Sequence, residues 1–331
     1  MSDLNEKVKA SIERMKAFEP QEGYLLAFSG GKDSVVLKAL ADMAGVKYTA
    51  HYNVTSVDPP ELVRFIRGKY PDVEWVYPRY SDGKRITMWN LIPKKMTPPT
   101  RIIRYCCENL KESFGAGHYV LTGVRWAESR RRANSHGVVT MPDARGKTVP
   151  DGFERTTRGG IILNSDNDDA RRVLETCYAK QKKMVNPIVD WEDSDIWEFI
   201  KAENVPYCGL YDEGCKRLGC IGCPMASKTR KVEFQRWPRY KRLYLNAFAR
   251  MQEARVAAGK EPLFAKYVDN PTPQDVFDWW MEEPWLPGQM SMFGEDTELG
   301  AGKIQDRLLV SGHGVTSGRN SPRHSCIISR V

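Results

Sequence analysis

The stretch of residues 24–40, YLLAFSGGKDSVVLKAL, runs from apolar residues through Ser-Gly-Gly-Lys-Asp-Ser and back to apolar positions at helical spacing. A short apolar run, a glycine turn and an amphipathic continuation read as one strand–turn–helix unit of a buried parallel sheet. The turn is chemically loaded. Successive backbone N–H groups at the start of a helix form an anion site, reinforced by the partial positive charge of the helix terminus. Gly30 and Gly31 allow close approach of the backbone, Ser29 and Ser34 supply hydroxyl donors, and Lys32 adds a cation. Asp33 is compatible with an anion if it fixes the loop or helps hold a magnesium ion bridging phosphates. The loop is neither a GxGxxG fingerprint nor a Walker loop; around Gly146-Lys147-Thr148, Met141 stands where the Walker pattern needs glycine.

The alternation continues. Residues 24–28, 48–54, 73–77 and 119–123 read as strands, and 34–43 and 59–67 as helices, the second capped by Asp58. Strands separated by helices predict an α/β fold: a doubly wound, mostly parallel sheet with helices on both faces. Residues 134–169, rich in Gly, Asp, Arg and Thr, read as a long insertion or mobile loop. Beyond them, 192–203, 232–257 (bent or restarted at Pro238) and 275–282 read as helices. The expected division is a nucleotide-binding domain over 1–226, a helical C-terminal extension over 227–295 and a flexible Gly/Ser/Arg-rich tail over 296–331. No segment approaches the ~18–20 uninterrupted apolar residues of a membrane helix, and the first residues are polar, so a cytoplasmic protein without a membrane partner is expected.

Four of the eight cysteines fall in two tight groups, Cys106-Cys107 and Cys220-Ile-Gly-Cys223, while Cys177, Cys208, Cys215 and Cys326 are scattered. In a reducing compartment this grouping suggests a metal or a cluster rather than disulfides. A zinc site needs its thiolates tetrahedral about one ion, which adjacent Cys106 and Cys107 would strain. A [4Fe–4S] cubane offers separate irons to neighbouring thiolates. Zinc and reduced core cysteines remain as alternatives; Cys215, five residues before Cys220, is a bystander or a substitute ligand. The five histidines show no ligand spacing.

The formal charge of +8 favours an anionic partner. Arg125, just past a strand carrying Thr122 and Gly123, and Arg132 are the candidates for anion oxygens, since a guanidinium grips two at once. Lys111 and Lys183 are weaker candidates. Glu128 either orients an arginine or faces solvent, and Arg132 with Arg130 and Arg131 can equally form a solvated basic face. Between Lys228 and Arg242, basic residues interleave with Phe234, Trp237 and Tyr240. That pattern suits single-stranded tRNA or DNA, or a basic amphipathic helix whose rings pack inward.

The SGGKDS loop resembles the pyrophosphate-binding loop of adenine nucleotide alpha-hydrolase-like proteins. The ordered series Arg104-Tyr105-Cys106-Cys107, Thr122-Gly123-Val124-Arg125-Trp126-Ala127-Glu128-Ser129, Asn186-Pro187 with Trp191, and Cys220-Ile221-Gly222-Cys223-Pro224 resembles the phosphoadenosine phosphosulfate (PAPS) reductase family. The resemblance implies an adenine nucleotide held by Ser29, Gly30, Gly31, Lys32, Asp33, Ser34, Gly123, Arg125, Glu128 and Arg132, with Ser56 or Asp58 near the ribose. It implies a [4Fe–4S] cluster on Cys106, Cys107, Cys220 and Cys223, and magnesium if ATP is the substrate. Lys32, Asp33 and Arg125 become the catalytic candidates. The nucleophilic Glu-Cys-Gly-Leu-His tail of true reductases is absent, leaving Cys326 as the tail cysteine. Three readings follow: a sulfonucleotide reductase served by a thioredoxin-like dithiol; an ATP pyrophosphatase or adenylyltransferase of DNA phosphorothioation or tRNA thiolation type; and a nucleotide and redox sensor without turnover. A homo-oligomer or a complex subunit is expected in each case.

Overall fold

The computed structural model describes residues 2–112, 115–142, 149, 152–156, 159–164, 182–226, 229–266 and 268–282. Expectations placed on Cys177, Lys228, the tail over 296–331 and Cys326 lie outside the described residues. All the described residues fall in one compact unit.

Strands β1 (Tyr24–Ala27), β2 (Tyr48–Asn53), β3 (Glu74–Val76), β4 (Tyr119–Leu121), β5 (Val139–Met141), β6 (Glu154–Arg155), β7 (Ile161–Leu163) and β8 (Lys183–Val185) form one sheet in the order β3-β2-β1-β4-β8-β5-β7-β6. Pairing is parallel from β3 to β8 and antiparallel from β8 to β6. The helices are α1 (Ser2–Ala17), α2 (Lys32–Ala44), α3 (Pro60–Lys69), α4 (Met88–Lys95), the short α5 (Tyr105–Cys107) and α6 (Arg130–Ala133), then α7 (Asp193–Ala202), α8 (Arg230–Arg236), α9 (Pro238–Ala257) and α10 (Pro273–Glu282). This is the doubly wound α/β arrangement, with helices flanking a mostly parallel sheet and a helical C-terminal region.

Local chemistry sets the boundaries. Gly45, at φ 68°, ends α2 in the left-handed conformation that glycine adopts without steric cost. Pro60 opens α3, where a missing N–H is harmless. Thr87 and Asn90 form a reciprocal capping box on α4. Pro238 separates α8 from α9, as expected, at Trp237. Three expectations change. The stretch 134–169 contributes β5, β6 and β7, whose fully buried β5 and β7 residues extend the sheet. Helix α3 starts at the Pro59 cap position without a side-chain cap, so Asp58 is not its cap. Helix α4 and strand β8 were not anticipated.

Two hydrophobic cores result. The first lies around the sheet and α1–α3 and α7, with Leu26, Val35, Leu37, Ile66, Leu121, Val185 and Trp191 all within a few per cent of full burial. The second joins α4, α5, the Cys220 turn, α9 and α10 through Leu91, Tyr105, Ile221, Tyr244, Phe248, Phe277 and Trp280. It draws on residues from both sides of residue 226.

Candidate functional site

Parallel pairing aligns the carboxyl ends of β1, β2, β4 and β8, and the connections that follow them meet along one edge. The order β2-β1-β4 makes the gap between β1 and β4 the topological switch point, where open α/β sheets take ligands.

The loop after β1 is built for close approach. Gly30 sits at φ 71°, and a Cβ there would lie 2.7 Å from Ile66 and 2.8 Å from Leu62, so both handedness and packing demand glycine. Gly31 is the N-cap of α2. The Ser34 hydroxyl donates to the Gly31 carbonyl at 2.9 Å and accepts the Ser29 N–H at 3.2 Å, stapling the turn. The Lys32 N–H donates to the hydroxyl of Tyr211 at 2.9 Å. Gly123, after β4, presses onto the start of α2: a Cβ there would meet the Asp33 carbonyl oxygen at 3.1 Å.

Beside the loop, two cations alternate with two carboxylates. Arg125 is 1% exposed and spends its whole guanidinium: Nε donates to Asp33 at 2.7 Å, Nη2 to Asp193 at 2.5 Å, and Nη1 to the Trp191 carbonyl at 3.0 Å. Lys32 Nζ reaches Asp33 at 3.1 Å and Asp193 at 2.9 Å. Burial works against the charge of Arg125, yet Asp33 and Asp193 hold it firmly protonated. Burial also disfavours the Asp193 carboxylate, and the bonds from Lys32 and Arg125 outweigh it, keeping its pKa below the usual range.

Arg132 pairs with Glu128, so Glu128 is the orienting partner and not free surface. Burial, then the charges of Arg217 and Arg125, lower the pKa of Arg132, which places it by the Asp33–Arg125 pair with Arg217 nearby. Lys183 does not join them: it lies at the amino end of β8, over the Tyr119 ring at 4.7 Å.

The segment after β2 leads to the thiols. Ser56, at φ 67°, accepts the Met88 N–H at 3.0 Å. Asp58 is buried, accepting from the Tyr52 hydroxyl at 2.5 Å and Thr55 at 2.7 Å, with the Cys220 sulfur 3.9 Å from its other oxygen. Both residues shape the wall between loop and cysteines.

The structure brings Cys106, Cys107, Cys220 and Cys223 together. The bond with Cys107, then burial and the other thiols, push Cys106 up. The bond from Cys106 draws the Cys107 pKa down against burial, with Arg104 adding to the shift. Burial raises Cys220 to about 11 although Lys111 draws it down. Cys215 lies elsewhere, packed against the sheet core. Among the described residues no trio of His, Cys, Asp or Glu is arranged to hold a single metal ion. Lys111 and Arg104 stand beside these thiols.

Downstream, the rings turn inward. Phe234 is buried among Tyr244, Phe277 and Trp280, the Trp237 indole donates to Glu61, and the Tyr240 hydroxyl donates to the Asp58 carbonyl. They brace the second core.

Sequence reasoning missed Tyr211, Asp193 and Arg217. Asp193 carried one signal, as a first-turn carboxylate soon after the Asn186-Pro187 pair; Tyr211 and Arg217 carried none.

A sheet of this order, with a glycine loop at its switch point and paired cysteines beside it, defines a nucleotide-loop α/β protein with a thiol centre. The phosphoadenosine phosphosulfate reductase domain model matches residues 23–226, and the chain belongs to that family. The uncharacterized protein MJ0973 of Methanocaldococcus jannaschii is 29% identical over 209 residues, covering 60% of this chain and 41% of that protein. Adenosine 5'-phosphosulfate reductase of Neisseria meningitidis is 42% identical over 53 residues, 16% of this chain and 22% of the enzyme. The phosphoadenylyl-sulfate (PAPS) reductase structure from Candida auris aligns at TM-score 0.38 and 14% identity, over 66% of this chain and 93% of that one. The chain thus matches about two-fifths of the length of the archaeal relative and less than a quarter of the bacterial reductase.

Proposed function

We propose that the chain is an enzyme of sulfur chemistry that binds an adenine nucleotide, PAPS, adenylylsulfate or ATP, at the SGGKDS loop beside a [4Fe–4S] centre on Cys106, Cys107, Cys220 and Cys223. The observation that carries this is adjacency: the loop after β2 runs from the nucleotide edge directly to Asp58, whose carboxylate touches Cys220. Family membership supports the reading, as do the loop's staple and its main-chain donors. A cluster there would supply a redox-active, electron-rich centre next to the sulfur being processed. The chain's own residues bind and orient: Gly30 and Gly31 let phosphate oxygens reach the backbone, Arg132 and Arg217 supply positive charge, and Arg125 fixes Asp33, which faces a magnesium ion if ATP is bound.

In the reductase form, a cysteine thiolate attacks the sulfonucleotide sulfur, the sulfur–oxygen bond to phosphate breaks, and the nucleotide leaves with the electron pair. A dithiol then displaces sulfite and becomes the disulfide. The second reading, ATP-dependent adenylylation of an acceptor for sulfur insertion, is favoured by the missing Glu-Cys-Gly-Leu-His string. Anaerobic incubation separates them. Sulfite from PAPS or adenylylsulfate with a dithiol, lost in Cys326→Ser, supports reduction. Pyrophosphate from ATP, stimulated by tRNA or DNA, supports transfer. Neither product, with nucleotide still bound, leaves a sensor.

A further inference from the structure

The first N–H of α2 is the donor an anion at this loop would use, because the leading N–H groups of a helix have no partner within it. Here that N–H, on Lys32, is taken by the Tyr211 hydroxyl at 2.9 Å, from 179 positions further along the chain. The phenol oxygen also stands where a Cβ on Gly31 would touch it at 3.5 Å, so it lies on the loop itself. Its ring packs edge-on against Trp197 at 5.2 Å, on α7, the helix whose Asp193 holds Lys32 and Arg125. Tyr211 belongs to a compact series of turns: its N–H bonds the Cys208 carbonyl, the Cys215 N–H bonds the Leu210 carbonyl, and Glu213 pairs with Arg236. A few residues on, the same segment becomes the Cys220–Cys223 turn, where the Ile221 N–H bonds the Val57 carbonyl at 2.8 Å.

We propose that Tyr211 is an affinity-setting residue that competes with phosphate for the loop: a phosphate oxygen that takes the Lys32 N–H must displace the phenol, and the displaced ring shifts the 207–219 segment that leads into Cys220 and Cys223. This rests on the nucleotide reading above. One N–H serves one well-aligned acceptor, so the two occupants exclude each other. Coupling is reciprocal: whatever tightens the 207–219 segment from the cysteine side weakens phosphate binding by the same factor.

The test is calorimetry of the full chain with inorganic pyrophosphate and with ATP, comparing wild type, Tyr211→Phe and Tyr207→Phe. Removing a competing hydrogen bond tightens binding by about two- to tenfold, so Tyr211→Phe is expected to bind both ligands that much more strongly. Tyr207→Phe, which loses a hydroxyl bonded to Asp212 and keeps its ring on Trp197, is expected to match wild type. Hydrogen exchange over 207–219 is expected to accelerate when pyrophosphate binds wild type, and to be already fast in Tyr211→Phe. Equal or weaker binding by Tyr211→Phe, with wild type still binding, overturns the proposal and leaves the nucleotide reading intact. Equal tightening by Tyr207→Phe overturns it by tracing the effect to a loosened loop. If none of the three proteins binds either ligand, the nucleotide reading falls and the proposal with it.

Discussion

At the residue scale, Arg125 shows how a side chain suited to anions is tied to carboxylates of its own chain. It is 1% exposed and has a partner at every nitrogen, two of them carboxylates. Breaking a buried ion pair is costly because the other charge stays behind without compensation. Asp193 is 71% exposed and can return to water, whereas Asp33 is 26% exposed and cannot do so fully. Arg125→Ala is therefore expected to lower unfolding free energy by about 3 kcal/mol, the lower end for such pairs. Arg125→Lys, which restores charge without the fork, is expected to recover about half of that. Urea unfolding at neutral pH measures both, and full recovery in Arg125→Lys would show that the fork is immaterial. The glycine loop was readable because its chemistry is local, six consecutive residues with a shared purpose. Tyr211 was not, because its partner Lys32 lies 179 positions away and nothing in its neighbours marks it; Asp193, 161 positions from Lys32, showed only as a first-turn carboxylate.

At the scale of elements, legibility follows length. Strand β1 and helix α2 announced themselves through long apolar runs, while β5 and β7 are three residues each and leave no period to detect inside a polar stretch. Their burial is set by long-range pairing, β5 to β8 and β7 to β5, which sequence pattern does not carry. The short α6 and the turn after it show a second such dependence. His136 follows α6, its carbonyl accepts the Trp126 indole N–H at 2.7 Å, and its Nδ1 is buried without a partner. Burial first, and the Arg132 charge second, depress its pKa from 6.5 to about 4. A depressed histidine binds fewer protons folded than unfolded, so its contribution is fully present above pH 6.5 and is lost as pH falls from there toward 4. The loss amounts to about 3 kcal/mol over that window. His136→Gln is expected to remove this slope from the stability–pH curve measured by urea unfolding. A curve parallel to wild type between those limits would mean that His136 ionises freely in the fold.

At the scale of the whole molecule, the two cores divide the labour. The sheet core holds the glycine loop, and the second core, built from α4, α9 and α10, holds the cysteine turns in place. Trp280 is the keystone of the latter: it is 2% exposed, packs on Tyr244 at 4.7 Å and Phe248 at 5.5 Å, donates to the Pro99 carbonyl at 2.7 Å, and supports the Arg230 guanidinium at 4.0 Å. It also lies 3.1 Å from where a Cβ on Gly222 would be, inside the Cys220–Cys223 turn. Trp280→Ala opens a cavity there and is expected to cost about 3–5 kcal/mol of stability. Maleimide labelling of Cys220 and Cys223 is expected to accelerate in the same variant, because the turn loses its floor. Pyrophosphate affinity is expected to stay within about twofold of wild type, as separate packing units respond independently. Retained affinity with exposed thiols would mean that nucleotide grip and thiol placement are separable, joined through the Asp58 wall and the 207–219 segment. Affinity that collapses together with thiol protection would mean instead that the two cores act as a single cooperative support, and that no substitution in one leaves the other's chemistry intact.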